Sequence, residues 1–261
     1  MTEQPLFAVS TLSTLAEPIP RTVVLTTWVN SWLDGQCPAD DISEALELFG
    51  PQRMLLAPQS DNNRCGLLVG LANLGLKPGS STPRLRAVLP APGDPSGLPG
   101  PASFNQEAVS VGQAIVIDER HIGLVPRVSE HETTWIGYPT PMDSIASVKI
   151  RAEESSRAVR AALIDATAEL AAMDLATGRD SIADSMADLN QRLRRVELPS
   201  NLDGPARHTI HTAAQILGVC EIAQGALPLA ATTAMDRQRA QVLTELATTA
   251  RHCLAAAASP R

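Results

Sequence analysis

Residues Gln113–Tyr138 read QAIVIDERHIGLVPRVSEHETTWIGY. Three short runs rich in apolar and β-branched residues lie in this stretch, at 113–118, 121–128 and 133–138. Glu119-Arg120 and Ser129-Glu130-His131-Glu132 separate them, polar and short enough to be hairpin connections. Sequential strands joined this way form an antiparallel meander. Pro126 has no N–H for a ladder, so its strand needs an edge or a bulge there. Pro139–Asp143 then marks a change, and no strand pattern recurs between Ser144 and Ala257. The chain is read as α+β: N-terminal helices with a small, mainly antiparallel sheet in residues 1–143, followed by an all-α antiparallel helical bundle in residues 144–261.

Upstream of the meander, helices are expected at 18–34, 40–49 and 66–76. Pro20 suits a first turn, Trp28 and Trp32 mark the core face of the first helix, and Asp40 or Asp41 is placed to cap the second. Met54–Ala57 reads as a short edge strand. Gly66 and Gly70 indicate close helix packing; there is no G-x-G-x-x-G after a strand and no Gly-Lys-Ser/Thr, so a nucleotide loop is disfavoured. Arg84–Leu89 alternates, with Leu85, Ala87 and Leu89 on one face and Arg86 and Val88 on the other, and is expected to join the sheet as a fourth strand. Downstream, Val159, Leu163, Ala166, Leu170 and Met173 recur at spacings of four and three. Ile182, Met186, Leu189, Leu193 and Val196 repeat the pattern. Ile210, Ala213, Leu217 and Cys220 form a third stripe, and Met235, Val242, Leu246, Thr249 and Cys253 a fourth. Four such helices joined by short loops pack as a bundle. They either close a private core or leave a face for another chain.

With 44% hydrophobic and 19% charged residues, the 261-residue chain has a globular composition. Residues 1–150 hold nine basic and fifteen acidic residues, a net −6, and the remainder carries −1. Neither half has the basic excess that phosphate contacts need, so nucleic acid is not an expected partner. No apolar run reaches the ~20 residues of a membrane span, and no secretory signal is evident, so no membrane partner is expected. Cys37, Cys65, Cys220 and Cys253 are far apart without a Cys-x-x-Cys pair, as reduced thiols of a cytoplasmic protein would be.

The most distinctive stretch is Arg84–Asn105, RLRAVLPAPGDPSGLPGPASFN, with five prolines and three glycines. Prolines preset φ and glycines permit positive φ, so the loop has a defined shape. It leaves a strand and enters a helix whose start, Ser103-Phe104-Asn105-Gln106, has capping-box spacing. An anionic ligand or a partner would meet Arg84, Arg86, Asp94, Ser103 and Asn105 there. The bland alternative is a connector with Asp94 capping its turn. No nucleophile–base pair accompanies it, so no catalytic residue is assigned. His208 and His211 share a helix face, but Cys220 and Glu221 lie about 14–18 Å further along at 1.5 Å per residue, so no metal and no cofactor is expected. Glu130-His131-Glu132, with His121, is read as a polar turn rather than a general base.

The segments Pro90–Asn105, Ala108–Ala114 and Ile122–Pro126, with an alanine-rich helical tail, resemble a protein family of high-GC Gram-positive (actinobacterial) bacteria that carries a PAPGDPxGLPGPxxFN loop. The resemblance covers most of the chain and implies a bacterial cytoplasmic origin, with no activity to carry over. The expected function is that of a non-enzymatic intracellular interaction or accessory protein, with a protein partner or a second copy meeting the C-terminal helices. The alternative is an enzyme or sensor that binds a small anionic metabolite at residues 90–105.

Overall fold

The computed structural model describes residues 17–56, 64–79, 83–142, 152–172, 179–225 and 233–259. Its strands, in chain order, are β1 (Gln52–Leu55), β2 (Arg64–Gly66), β3 (Arg86–Val88), β4 (Ala114–Ile117), β5 (Ile122–Val128) and β6 (Thr133–Pro139). The meander β4-β5-β6 forms as the apolar runs predict. Its first turn is longer than the two residues expected: Asp118–Arg120 makes a 3₁₀ turn, closed by His121 N–H donating to Asp118 O at 3.1 Å, with His121 at φ +51°.

The sheet order is β2-β1-β6-β5-β4-β3. Neighbours are antiparallel except β1 and β6, which run parallel. Two strands therefore extend the expected four. β1 is not at the edge, as the Met54–Ala57 reading had it; β2 covers its outer side. β2 has three residues, too few for a period-two pattern to register in the sequence. Pro126 sits in an interior strand, yet the β4–β5 register ends at Leu124, so one side of β5 is free at the proline.

The helices are α1 (Arg21–Leu33), α2 (Ala39–Ala45), α3 (Leu67–Asn73), α4 (Ala102–Val111), α5 (Ala152–Ala172), α6 (Arg179–Leu193), α7 (Gly204–Gly225) and α8 (Thr233–Ala258). α1 is buried nearly all round; Trp28 and Trp32, expected innermost, are its half-buried positions. Pro20 is the N-cap of α1 rather than a residue of its first turn, and Pro38, not an aspartate, is the N-cap of α2. Asp40 and Asp41 lie in the first turn of α2, where a negative charge still favours the positive end of the helix dipole. Gly70 fits the packing expectation, because a Cβ there would lie 2.4 Å from Met54 Sδ. Gly66 does not: the space around it is open.

Period-two alternation gives the sheet two buried faces. Ala87, Ile115, Ile117, Leu124, Trp135 and Met54 join one apolar cluster with α1, α3, α7 and α8. Val88, Ala114, Val116 and Val125 face the other way, under Phe104 and Ala108 of α4. α7 packs against α5, α6 and α8, α5 also packs against α8, and α8 reaches α1 and β3. The two halves thus share one core, and the C-terminal helices do not close a private one. Val159, Ala166, Leu189, Leu193, Ile210, Ala213, Leu217, Cys220, Val242, Leu246 and Cys253 are buried as their stripes predict. Met186 and Thr249 are half-buried, and Leu163 is 41% exposed. Met173 and the side chains of Leu170, Ile182 and Met235 lie outside the described residues.

Candidate functional site

The loop between β3 and α4 has the set shape its composition implies. Gly93, Gly97 and Gly100 all hold positive φ, at +84°, +87° and +92°. Ala91 and Asp94 exchange backbone hydrogen bonds of 3.0 and 2.8 Å across Pro92-Gly93. Asp94 then works in two directions. Its Oδ1 accepts from Ser96 Oγ at 2.6 Å and from Ser96 N–H at 3.4 Å, closing an Asx turn. Its Oδ2 lies 2.8 Å from Nε2 of His252, on α8. Burial pushes the Asp94 carboxyl up, but the Ser96 hydroxyl, the charge and hydrogen bond of His252 and the Ser96 amide together hold it below its ordinary value.

The other residues picked out from the sequence do not converge on a ligand position. Arg86 pairs with Asp118 through Nε and Nη2, at 3.1 and 3.2 Å, and its Nη1 donates to Gly97 O at 3.0 Å. It therefore pins the loop to the β4–β5 turn. Arg84 turns away and pairs with Asp34, at the end of α1. Ser103 is exposed and is not the cap: α4 begins at Ala102, its N-cap is Pro101, and no side chain caps it. Proline already has the extended φ that a cap position needs. Asn105 reaches back, its Oδ1 accepting from Gly100 N–H at 3.0 Å. Beside it lies an open depression of about 390 Å³ lined by Pro92, Asn105, Gln106, Val109 and Ser110.

What the sequence reading missed is the other side of the loop. Arg251 and His252 of α8 meet it, and Ala87 N–H of β3 donates to Ser259 Oγ at 3.2 Å just beyond the end of α8. Burial lowers the Arg251 guanidinium, while Asp94 and Cys220 act to raise it. Trp28 Nε1–H donating to Glu197 O at 3.1 Å, and Ser31 Oγ–H donating to Asn201 at 2.6 Å, tie α1 to the segment between α6 and α7. The loop is thus one of several brackets between the two halves. His252 had no local signal, because its partner lies 158 residues away.

The remaining candidates stay apart. His121 immediately precedes β5 and Glu130-His131-Glu132 follows its end, so a seven-residue strand of about 3.3 Å per residue lies between them. Glu132 is taken by Arg64 and lies 3.8 Å from Arg53. Burial, then the nearby Arg207 and His208, push the His211 imidazole down. Among the described residues no group of three or more His, Cys, Asp or Glu is arranged to hold a metal ion. Burial raises the Cys220 and Cys253 thiols to about 11 each, as packed side chains rather than nucleophiles. No helix among the described residues is long and apolar enough to cross a membrane.

Two family models match the chain. The model of the Rv1486c-like protein, N-terminal domain, matches residues 22–152, and that of the Rv1486c-like protein, C-terminal domain, matches residues 153–255. The Mycobacterium leprae protein ML1804 is 26% identical over 254 residues, covering 79% of this chain and 85% of its own length. Rv1486c of Mycobacterium tuberculosis is 24% identical over 257 residues, covering 84% and 88%. Both carry the description "uncharacterized protein". No solved structure matches the chain. Mycobacteria are actinobacteria, so the resemblance read from the sequence and the matched family agree at that level.

Proposed function

We infer that this chain, which belongs to the Rv1486c-like family, works as a non-enzymatic intracellular interaction or accessory protein. The observation that carries the reading is on α5. Val159 and Ala166 bury one side of this helix; Leu163, on the same stripe, is still 41% exposed, and Ile164, on the opposite side, is 69% exposed. Exposed apolar side chains on a helix that already has packing neighbours suit contact with another protein. The polar residues of the loop support the same reading from the negative side. Arg84, Arg86 and Asp94 spend their charges on Asp34, Asp118 and His252, which leaves little to recognise a small anion.

The test is association of the purified full chain and of its L163E/I164E variant. Sedimentation reads self-association, and affinity capture at native expression reads a stoichiometric partner. The wild type is expected to form a defined complex, as a dimer or with a partner, and the variant to lose it with unchanged circular dichroism. A wild-type monomer that recovers no partner overturns the reading. The second reading, a sensor or enzyme for a small anionic metabolite, draws on the depression beside Pro92 and Asn105. Thermal stabilisation by a phosphorylated or carboxylated metabolite, lost in Asp94→Ala, would favour it.

A further inference from the structure

We propose that the Asp94–His252 contact is an acid-released latch between the loop after β3 and helix α8. The two side chains are 17% and 34% exposed, so water and protons reach the pair. A carboxylate only accepts hydrogen bonds, so His252 Nε2 must carry a proton, whether the ring is neutral or charged. Arg251 lies next to His252 and is attracted to the same carboxylate, and its buried Nε has no hydrogen-bond partner. The Asp94 charge therefore holds His252 directly and attracts Arg251, whose Nη2 donates to Thr248 Oγ1, from further off. Protonating Asp94 removes that charge. It strands an imidazolium beside a guanidinium in a partly buried seam, where like charges repel and poor solvation magnifies the repulsion.

Several other charged groups on the elements packed around α8 have their own partners. On β3, Arg86 is held by Asp118 and Gly97. On α1, Arg21 is held by Glu17, and Asp34 just past its end by Arg84. On α7, Cys220 is a neutral thiol, as is Cys253 on α8 itself. α5 places Ser155 against Cys253, with Glu154 and Arg157 on its exposed side. With Asp34 paired to Arg84 and both thiols neutral, neither Asp34, Cys220 nor Cys253 supplies a second negative charge to the pair in place of Asp94. Opening separates the last turns of α8 from the sheet edge, and the reporter is the Ala87 amide, which bonds Ser259 Oγ.

The experiment is amide hydrogen exchange at Ala87 in the full chain, corrected for intrinsic rate, in wild type, Asp94→Asn and Asp94→Asn/His252→Gln. Asparagine stands in for the protonated acid, and glutamine keeps a donor that never charges. At pH 8 all three are expected to be protected. At pH 5.5, where an imidazole ordinarily carries its charge, Asp94→Asn is expected to lose at least tenfold in protection, while the wild type and the double variant keep theirs. Equal protection of Asp94→Asn at both values, equal loss at both, or no rescue in the double variant overturns the latch. Protection of the Ile115 amide, in the sheet interior, shows in each case that the fold persists.

Discussion

At the scale of single residues, glycines and thiols make the sharpest predictions. A Cβ on Gly123 would lie 2.4 Å from Cε2 and Cζ of Phe104, because the fully buried ring of α4 lies directly on the β5 backbone. Gly123→Ala is therefore expected to destabilise the chain by about 1–3 kcal/mol, read as a lower urea midpoint at unchanged slope. Gly204, at the start of α7, has nothing within 4 Å of its Cβ position. Gly204→Ala is expected to stabilise by about 0.4–1 kcal/mol, by restricting the unfolded chain. The four cysteines divide in the same way. Cys37 and Cys65 are half-buried and should react with a thiol reagent at pH 8, whereas Cys220 and Cys253 should react only on unfolding. Reaction of all four in the folded chain would contradict the packing of α7 and α8.

Among the elements, α1 and the loop after β3 show how differently two segments can be read. The apolar run of α1 was legible, but not that the helix lies in the middle of the molecule. Its N-terminus is fixed by a buried polar network no motif announces. Arg21 pairs with Glu17 and reaches Thr133, its guanidinium 5.0 Å from the Phe49 ring centre. Gln113 donates to Glu17 at 3.2 Å and accepts from Thr22 N–H at 3.2 Å. Removing one member leaves a buried charge without its partner, so Arg21→Ala is expected to cost about 3–5 kcal/mol in chemical denaturation. The loop presents the reverse case. Its shape was readable from proline and glycine chemistry, and Asp94 stood out as its turn residue. Its use was not, because a turn-forming aspartate looks the same whether its second oxygen faces water or a distant helix.

For the whole molecule, the shared core sets the behaviour of the two halves. Ala87, Leu89 and Leu124 lie in the same cluster as Leu217, Leu246 and Leu254, so cutting the chain near residue 150 would expose apolar surface on both pieces. Residues 17–142 alone are expected to show no cooperative thermal transition, and the full chain a single one, in calorimetry. Acid should act on this seam. The folded chain holds the Asp94 carboxyl below its ordinary value, so the unfolded chain binds that proton more readily. The resulting stability is complete above the unfolded value of about 3.9 and is lost as pH falls through the lower folded value. Asp94→Asn should remove this contribution at neutral pH, so that its melting temperature falls less than that of the wild type between pH 5 and pH 3.

Local periodicity and turn chemistry by themselves determined the α+β class, the meander, the alternating faces of β3 and the long C-terminal helices, because each depends on residues within a few positions of one another. They left β2 unseen, put β1 at an edge, placed the cap of α4 on Ser103 and treated the helices as able to close on themselves. Those matters were decided by tertiary contacts. A three-residue strand exists only because β1 pairs with it, and α8 covers the sheet only because β3 and the loop meet it across more than 150 positions of chain. Such contacts leave no trace in a window of ten residues, since the energy that selects them comes from surfaces that meet only in the folded chain.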